Sequence, residues 1–529
     1  MYPKAELGSS VVRHHSVLIL LGVMACSAHP TAVPAAPVPV ATGEIGADEL
    51  RRDLSAFAAD SMRGRETGTD DAMRAARFLA TRVERLGLEP AGDSLFLQRV
   101  PLQRESFTAA SRIVVEEGGR ATELRIGTDV VPVVNLAEGV PPTRSVADGQ
   151  VVFAGYGVSL KRPKRDDFAG LDLEGKVVVV INGAPAGVDS ASRETLEAET
   201  AVGERLAQIL PQHPAAVIFL FPDKGNTLFN KLAPELMRSV TRRSTSAEIP
   251  DAERPLPMIL FGVPRAGSPL LPRGWPADDR PQLLAGRRLV AHVSQERVPF
   301  TAYNVVAVSR GSDPALRTTY VALGAHYDHI GVVAPVNGDS IANGADDDGS
   351  GTVSLLAIAR DMQRAAVRPK RSSLFVWHVG EEKGLLGSAW FTDHPTVPID
   401  SIVAQLNADM IGRNAASVLY TVGPRAAPNG QSKRLGAIVD SVNARQPLPF
   451  TINREWDSTT HPEHIYERSD HFNYARKGIP IVFFTTGMHD DYHQPSDEPS
   501  KIDYEKMARV ARLMRDVAVA VANSAARPR

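Results

Sequence analysis

The 529-residue chain contains a single cysteine, Cys26. This excludes a disulfide framework and any metal site built from several thiolates. It also has no surplus of positive charge, since 59 Lys and Arg residues stand against 61 Asp and Glu, a formal charge of −2. Without a basic face there is nothing to hold nucleic-acid phosphates, so nucleic acid is not an expected partner. Self-similarity at a fixed period is missing as well, which excludes solenoids and propellers. The apolar run 17–25 is only about half of the ~20 residues that a membrane-spanning helix needs. What remains is ordinary globular material, 43% hydrophobic and 23% charged, and not a fibrous or disordered composition.

The first 44 residues read as an export address. Lys4 and Arg13 precede the apolar run, the arrangement of a secretory signal in residues 1–26. Val23-Met24-Ala25-Cys26 resembles a bacterial lipoprotein processing site, at which Cys26 would be acylated and anchor the chain to a membrane; plain secretion is the alternative. Residues 27–44 are rich in Pro and Ala and read as an extended tether. The expectation is an exported protein, periplasmic, anchored in the outer membrane or secreted, whose mature part begins near Gly43.

Three textures follow. From 48 to 88 the pattern is helical: Thr69 can cap a helix whose first turn holds Asp70 and Asp71, Met73, Ala76, Ala80 and Val83 share one face, and Gly87 stops it. Between 146 and 294 short β-rich runs (151–154, 176–181, 216–221), a helical stretch at 197–210 and many Pro and Gly breaks suggest an inserted module. The domain reading is therefore 45–145 and 295–529 for the main domain and 146–294 for the insertion. From 303 onward buried-strand patterns at 320–325, 373–379, 402–406 and 479–484 alternate with helices at 351–364, 385–391, 433–443 and 504–523. This alternation predicts an α/β fold with an open, mixed but largely parallel sheet flanked by helices, whose ligands belong at the carboxyl ends of its strands.

The metal-binding residue types fall at those ends. One strand runs into His326-Tyr327-Asp328-His329, and Asp346-Asp347-Asp348 follows before the helix at 351–364. Other strands lead to Glu381-Glu382, to Asp409 and to His489 and His493. Several carboxylates on one side of a sheet are costly unless something positive neutralises them. Imidazoles and carboxylates without clustered Arg or Lys imply divalent cations, with zinc favoured by mixed N/O ligation. The pair His489 and His493 imitates the two histidines of His-Glu-x-x-His, but Gly487 and Pro495 bracket a loop and Asp490 replaces the required Glu, so a helical single-zinc site is rejected. His461 and His464 are expected in a surface loop.

The linked motifs at 324–329, 344–351, 380–388, 407–412 and 492–497 resemble metallopeptidase family 28, the group of bacterial leucyl aminopeptidases and glutamate carboxypeptidases, over about 48–140 and 303–523. The middle segment resembles the protease-associated domain that many members insert. The resemblance implies two zinc ions per chain, one held by His326 and Asp409, the other by Glu382 and His493, with Asp347 bridging them and a peptide bond between Asp347 and Asp348 that is often cis. It implies Asp328 as the partner orienting His326, Glu381 as general base toward a water shared by the metals, and Tyr492 as a hydrogen-bond donor to the oxyanion. Neighbouring Glu381 and Glu382 in extended backbone would point to opposite sides. The implied activity is removal of N-terminal residues from peptide substrates. A carboxypeptidase acting on acidic peptides, with Arg413, Arg454 or Arg468 gripping a carboxylate, is the alternative, and a glutaminyl cyclase or an inactive receptor-like protein stands further off. Gln494 and Ala408 depart from the family's usual Thr and Leu without touching a ligand position.

Overall fold

The computed structural model describes residues 45–133, 143–198, 201–222, 227–244 and 256–528. The signal, Cys26 and the tether lie outside the described residues. The described chain divides into two compact units: a catalytic unit comprising the segment that ends at Gln103, Thr241–Ser244 and Pro299–Arg529, and a second unit comprising Arg104–Val240 and Thr245–Val298.

At the centre of the catalytic unit are four strands, β1 (Tyr320–His326), β2 (Ser372–His378), β3 (Ile402–Ala408) and β4 (Ile481–Thr485), every residue of which is buried. Continuous apolar burial without polar alternation is what a sheet covered on both faces requires. Their spatial order is β2-β1-β3-β4, all parallel. Antiparallel neighbours flank them, Gln295–Ser309 beside β2 and Val418–Val422 beside β4, making the sheet mixed. Alternate residues sort to the two faces: Val321, Leu323 and Ala325 join one core with the long helices, whereas Tyr320 and Ala322 join another with Phe391 and Tyr474.

Its longer helices are α1 (Ala47–Phe57), α2 (Asp70–Arg85), α3 (Gly351–Arg364), α4 (Lys433–Asn443) and α5 (Tyr504–Asn523), with shorter ones at Leu386–Asp393 and His471–Arg476. The helical pattern expected from 48 to 88 is thus two helices, parted by tight turns at Asp60–Arg65 in which Arg63, Gly64 and Arg65 have positive φ. Thr69 caps α2 by accepting from the Ala72 amide. Its buried stripe is Ala72, Ala75, Ala76, Leu79 and Val83; Met73 and Ala80 sit at the flanks, because the stripe is centred one residue away from the expected face.

The second unit holds an eight-stranded sheet around Val146–Phe153, Val177–Ile181, Ala216–Leu220 and Met258–Gly262, which are parallel neighbours in chain order. The sheet extends outside 146–294. Arg112–Glu117 pairs antiparallel with Gln282–His292, aligning Val115 with Leu289, and Val130–Pro132 pairs with Met258–Gly262. The boundary expected at 146 therefore moves to Arg104. Composition alone misplaced it because these first strands are short, and the strands that tie them into the parallel part of the sheet lie far along the chain, at Gln282–His292 and Met258–Gly262. The single helix expected at 197–210 is two, Ser190–Glu197 and Ala201–Ile209.

Candidate metal centre

Strand order reverses next to β1: the chain moves from β1 to β2 on one side and then returns to β3 on the other. Such a reversal opens a crevice at the carboxyl ends of the strands. His326 is the last residue of β1, Asp409 follows β3, and the turn after β2 carries Glu381 and Glu382. Asp347 comes from the loop before α3, where the Asp347–Asp348 bond is cis, and His493 from the loop after β4.

These side chains meet around Asp347, whose two carboxylate oxygens face different partners. Oδ1 lies 3.2 Å from His326 Nε2, which is itself 3.6 Å from Asp409 Oδ2. Oδ2 lies 3.2 Å from His493 Nε2, which is 3.0 Å from Glu382 Oε2. Glu381 points to the first group, with an oxygen 3.9 Å from His326 Nε2. Glu381 and Glu382 do diverge, but from a turn and not from extended backbone: the amides of Gly384 and Leu385 both donate to the Glu381 carbonyl.

Asp328 acts differently from the expectation. The nearest acceptor for His326 Nδ1 is the main-chain carbonyl of Asp328 at 3.1 Å, with the carboxylate at 3.9 Å. That carboxylate instead accepts from Thr67 Oγ1 (2.8 Å) and the Glu381 amide (3.2 Å), so it fixes the Glu381 turn. The outer contacts that sequence reasoning missed come from distant segments. Ser469 donates to Asp409 Oδ2 at 2.8 Å and accepts from Asn407 Nδ2. Asp497 accepts from the amides of Asp346 and Asp347. Arg65, fully buried, donates to the carbonyls of Tyr327, Asn343, Gly344 and Phe57, tying the His326 loop to the Asp347 loop. His329 lies inside a quoted motif, yet no local signal distinguishes it; its Nδ1 is 2.7 Å from Glu382 Oε1.

Charge in this cluster is dominated by burial and by neighbours. Burial raises the Asp347 carboxyl, but the His326 and His493 imidazoles beside it, each 3.2 Å away, outweigh that and hold it well below the usual range. Glu382, likewise opposed by burial and by the Asp347 charge, is held at about 2 by His329 and His493. Burial lowers His493, yet the adjacent Asp347 and Glu382 carboxylates push it to about 10. Glu381 goes the other way: burial, and the charges of Asp409 and Glu382 against the opposing pull of His326, raise it well above a normal glutamate. Protons on the imidazoles thus stand in for cations, which would displace them. His326 Nε2, His493 Nε2 and Asp409 Oδ1 are buried without a hydrogen-bond partner and converge on the same region. Buried polar atoms are rarely left so. Two groups here have metal-holding geometry, His326 with Glu381 and Asp409, and His329 with Asp347 and Glu382.

A cleft of about 410 Å³ adjoins the cluster, lined by Asp347, Glu381 and Asp409 at one end and by Met410, Trp456, Phe483 and Met488 along its wall. Tyr492 stacks on His493 at 3.8 Å and lines the same cleft. His489 lies in the loop as expected, beside Asp346 at 3.3 Å and away from the five-residue cluster. His464 is exposed and His461 half-buried.

Residues 304–518 match the model of Peptidase family M28. This segment is thus similar to that peptidase family. Leucine aminopeptidase 1 of Trichophyton rubrum is 30% identical over 239 residues, which are 43% of this chain and 60% of that protein. A probable leucine aminopeptidase of Trichophyton verrucosum (strain HKI 0517) is 31% identical over 209 residues, 38% of this chain and 54% of that protein. The chain thus spans little more than half the length of either relative. In fold it resembles an aminopeptidase from Aneurinibacillus sp. strain AM-1, with a TM-score of 0.51 and 19% identity across 90% of this chain and 93% of that one. Every side chain of the cluster described above lies between His326 and His493, inside the matched segment.

Proposed function

We propose that this chain is a zinc-dependent exopeptidase that removes N-terminal residues from peptides. The observation that carries the reading is the division of Asp347 between two sets of partners, each at 3.2 Å. His326 and Asp409 would hold one zinc and Glu382 and His493 the other, with Asp347 shared. Bound there, the ions would supply Lewis-acid activation of water and of the scissile carbonyl.

The protein's own groups carry the rest. Glu381, pinned at its amide by Asp328, is the general base: its raised affinity for a proton suits it to take one from the attacking water and deliver it to the leaving amine. Tyr492 keeps its phenol proton, because burial and the charges of Asp347 and Glu382 push its pKa up, so it remains a donor for the developing oxyanion. The acidic end of the cleft suits a free ammonium, and the Met410, Trp456, Phe483 and Met488 wall an apolar side chain. The relatives' names, leucine aminopeptidases, agree with that preference.

One observation favours the carboxypeptidase alternative in part: Arg468 lines the cleft. Arg413 is committed to Asp491 and Arg454 to Asp440, so no arginine group gathers to grip a carboxylate. An inactive receptor-like role fits poorly with an uninterrupted ligand set and a base beside it. Peptides with free and with blocked N-termini separate the readings: zinc-dependent cleavage of only the free-amine set is expected, and cleavage of blocked peptides from the C-terminus would replace this proposal. Glu381→Gln should retain zinc while kcat falls by ~10²–10⁴-fold; near-normal turnover would remove Glu381 from the mechanism.

A further inference from the structure

We propose that His329 is a positioning residue for the second zinc: it clamps one oxygen of Glu382 so that the other alone faces the metal. The inference rests on the metal reading above and adds a residue to it. His329 Nδ1 lies 2.7 Å from Glu382 Oε1, whereas Glu382 Oε2 lies 3.0 Å from His493 Nε2. A carboxylate oxygen at 2.7 Å is met by an N–H and not by a lone pair, so the proton of His329 is on Nδ1. Nε2, at the other end of the ring, is buried without a partner. The bond occupies Oε1 and leaves Oε2 for the site shared with His493 and Asp347.

The ring is held for this purpose. His329 is fully buried, and its amide donates to the Arg65 carbonyl. Its ring packs against Gly344, where a side chain could not fit: a Cβ there would lie 2.5 Å from His329 Cγ, and φ is +56°. The ring of His493 stands edge-on at 5.7 Å. A carboxylate with one oxygen tied down loses rotational freedom before the metal arrives, and outer-sphere contacts of this kind change metal affinity by about 10–100-fold.

The two ends of the ring distinguish this role from packing. Asparagine carries an amide N–H where His329 has Nδ1; glutamine carries one where His329 has Nε2. Zinc titration of the purified protein against a competing chelator, read as the dissociation constant of each site, is the measurement. We expect His329→Ala and His329→Gln to weaken one of two sites by about 10–100-fold while leaving the other unchanged, and His329→Asn to stay within a few-fold of wild type. Should the alanine variant not fold, the Asn and Gln pair decides alone. Equal affinities in the Gln variant and wild type, weakening of both sites together, or an asparagine variant as weak as the glutamine one would overturn the proposal. Wild-type protein that binds no zinc would instead overturn the metal reading beneath it, and this clamp along with it.

Discussion

The two units share a design and differ in its outcome. Each is built on four parallel strands, buried throughout in the catalytic unit and for most of their length in the second, and each encloses a buried arginine saturated by carbonyl acceptors: Arg65 in the catalytic unit, and Arg205 in the second, bonded to the carbonyls of Tyr156, Gly183 and Leu196 and to Asn182 Oδ1. Burial lowers both guanidinium groups to about 10, leaving them charged at neutral pH. In the second unit the parallel strands follow one another in chain order, so no reversal opens a crevice. Its buried Asp167 is answered by Arg165 and two amides. Among the described residues, its only buried side-chain polar atom without a partner is Asn182 Nδ2, while the catalytic unit gathers three at one point, on His326, Asp409 and His493. Parallel strands therefore supply a platform. A site needs a reversal in strand order and polar atoms left for a ligand.

The comparison can be broken or sharpened by experiment. The largest effect should come from Asp347→Ala, which removes the shared carboxylate: zinc content measured by atomic emission should drop at both sites, and kcat should fall by more than the ~10²–10⁴-fold of a lost base. A variant that kept two zincs would show that Asp347 is not shared. Next are the two arginines. Arg65→Met and Arg205→Met each strand several buried carbonyls, at ~1–3 kcal/mol apiece, and each should lower unfolding stability in denaturant by at least ~3 kcal/mol. Only Arg65→Met should also weaken zinc binding and kcat/KM, because its acceptors lie on the ligand loops. Equal loss of activity in the Arg205 variant would mean that the second unit takes part in the chemistry.

The effect furthest from catalysis concerns acid. Burial holds His471 at about 3 in the folded chain, against an ordinary value of 6.5. The unfolded chain therefore binds a proton that the folded one refuses between those values, and stability falls as pH drops from 6.5 toward 3, by up to ~1.4 kcal/mol per pH unit from this group. His471→Gln, whose amide can still reach the Tyr466 carbonyl, should flatten that part of the stability profile. An unchanged slope would mean that His471 accepts its proton without unfolding.

Much of the site was legible in the residues. His326 and Asp409 stand at strand ends, and Asp347, Glu382 and His493 in the loops that follow strands, because apolar runs stop there, and local periodicity reveals where a run stops. The contacts that orient them were not legible. Thr67 reaches Asp328 across 261 residues, and Arg65 reaches Asn343 across 278; bonds over such separations leave no local pattern. The misplaced boundary at 146 has the same origin, since the local pairing of Arg112–Glu117 with Arg120–Glu123 says nothing of the sheet it joins, which it meets through the distant Gln282–His292.

The order of apolar and polar residues along the chain suffices to establish the alternating strands and helices, and the ligand chemistry is set by which side chains follow each strand, because both depend on neighbours a few residues apart. Which oxygen of Glu382 is free, which contact Asp328 makes and how the 60–67 segment braces the site were decided by folding alone. Those features depend on groups hundreds of residues apart being brought within 3 Å, and only the packed core accomplishes that.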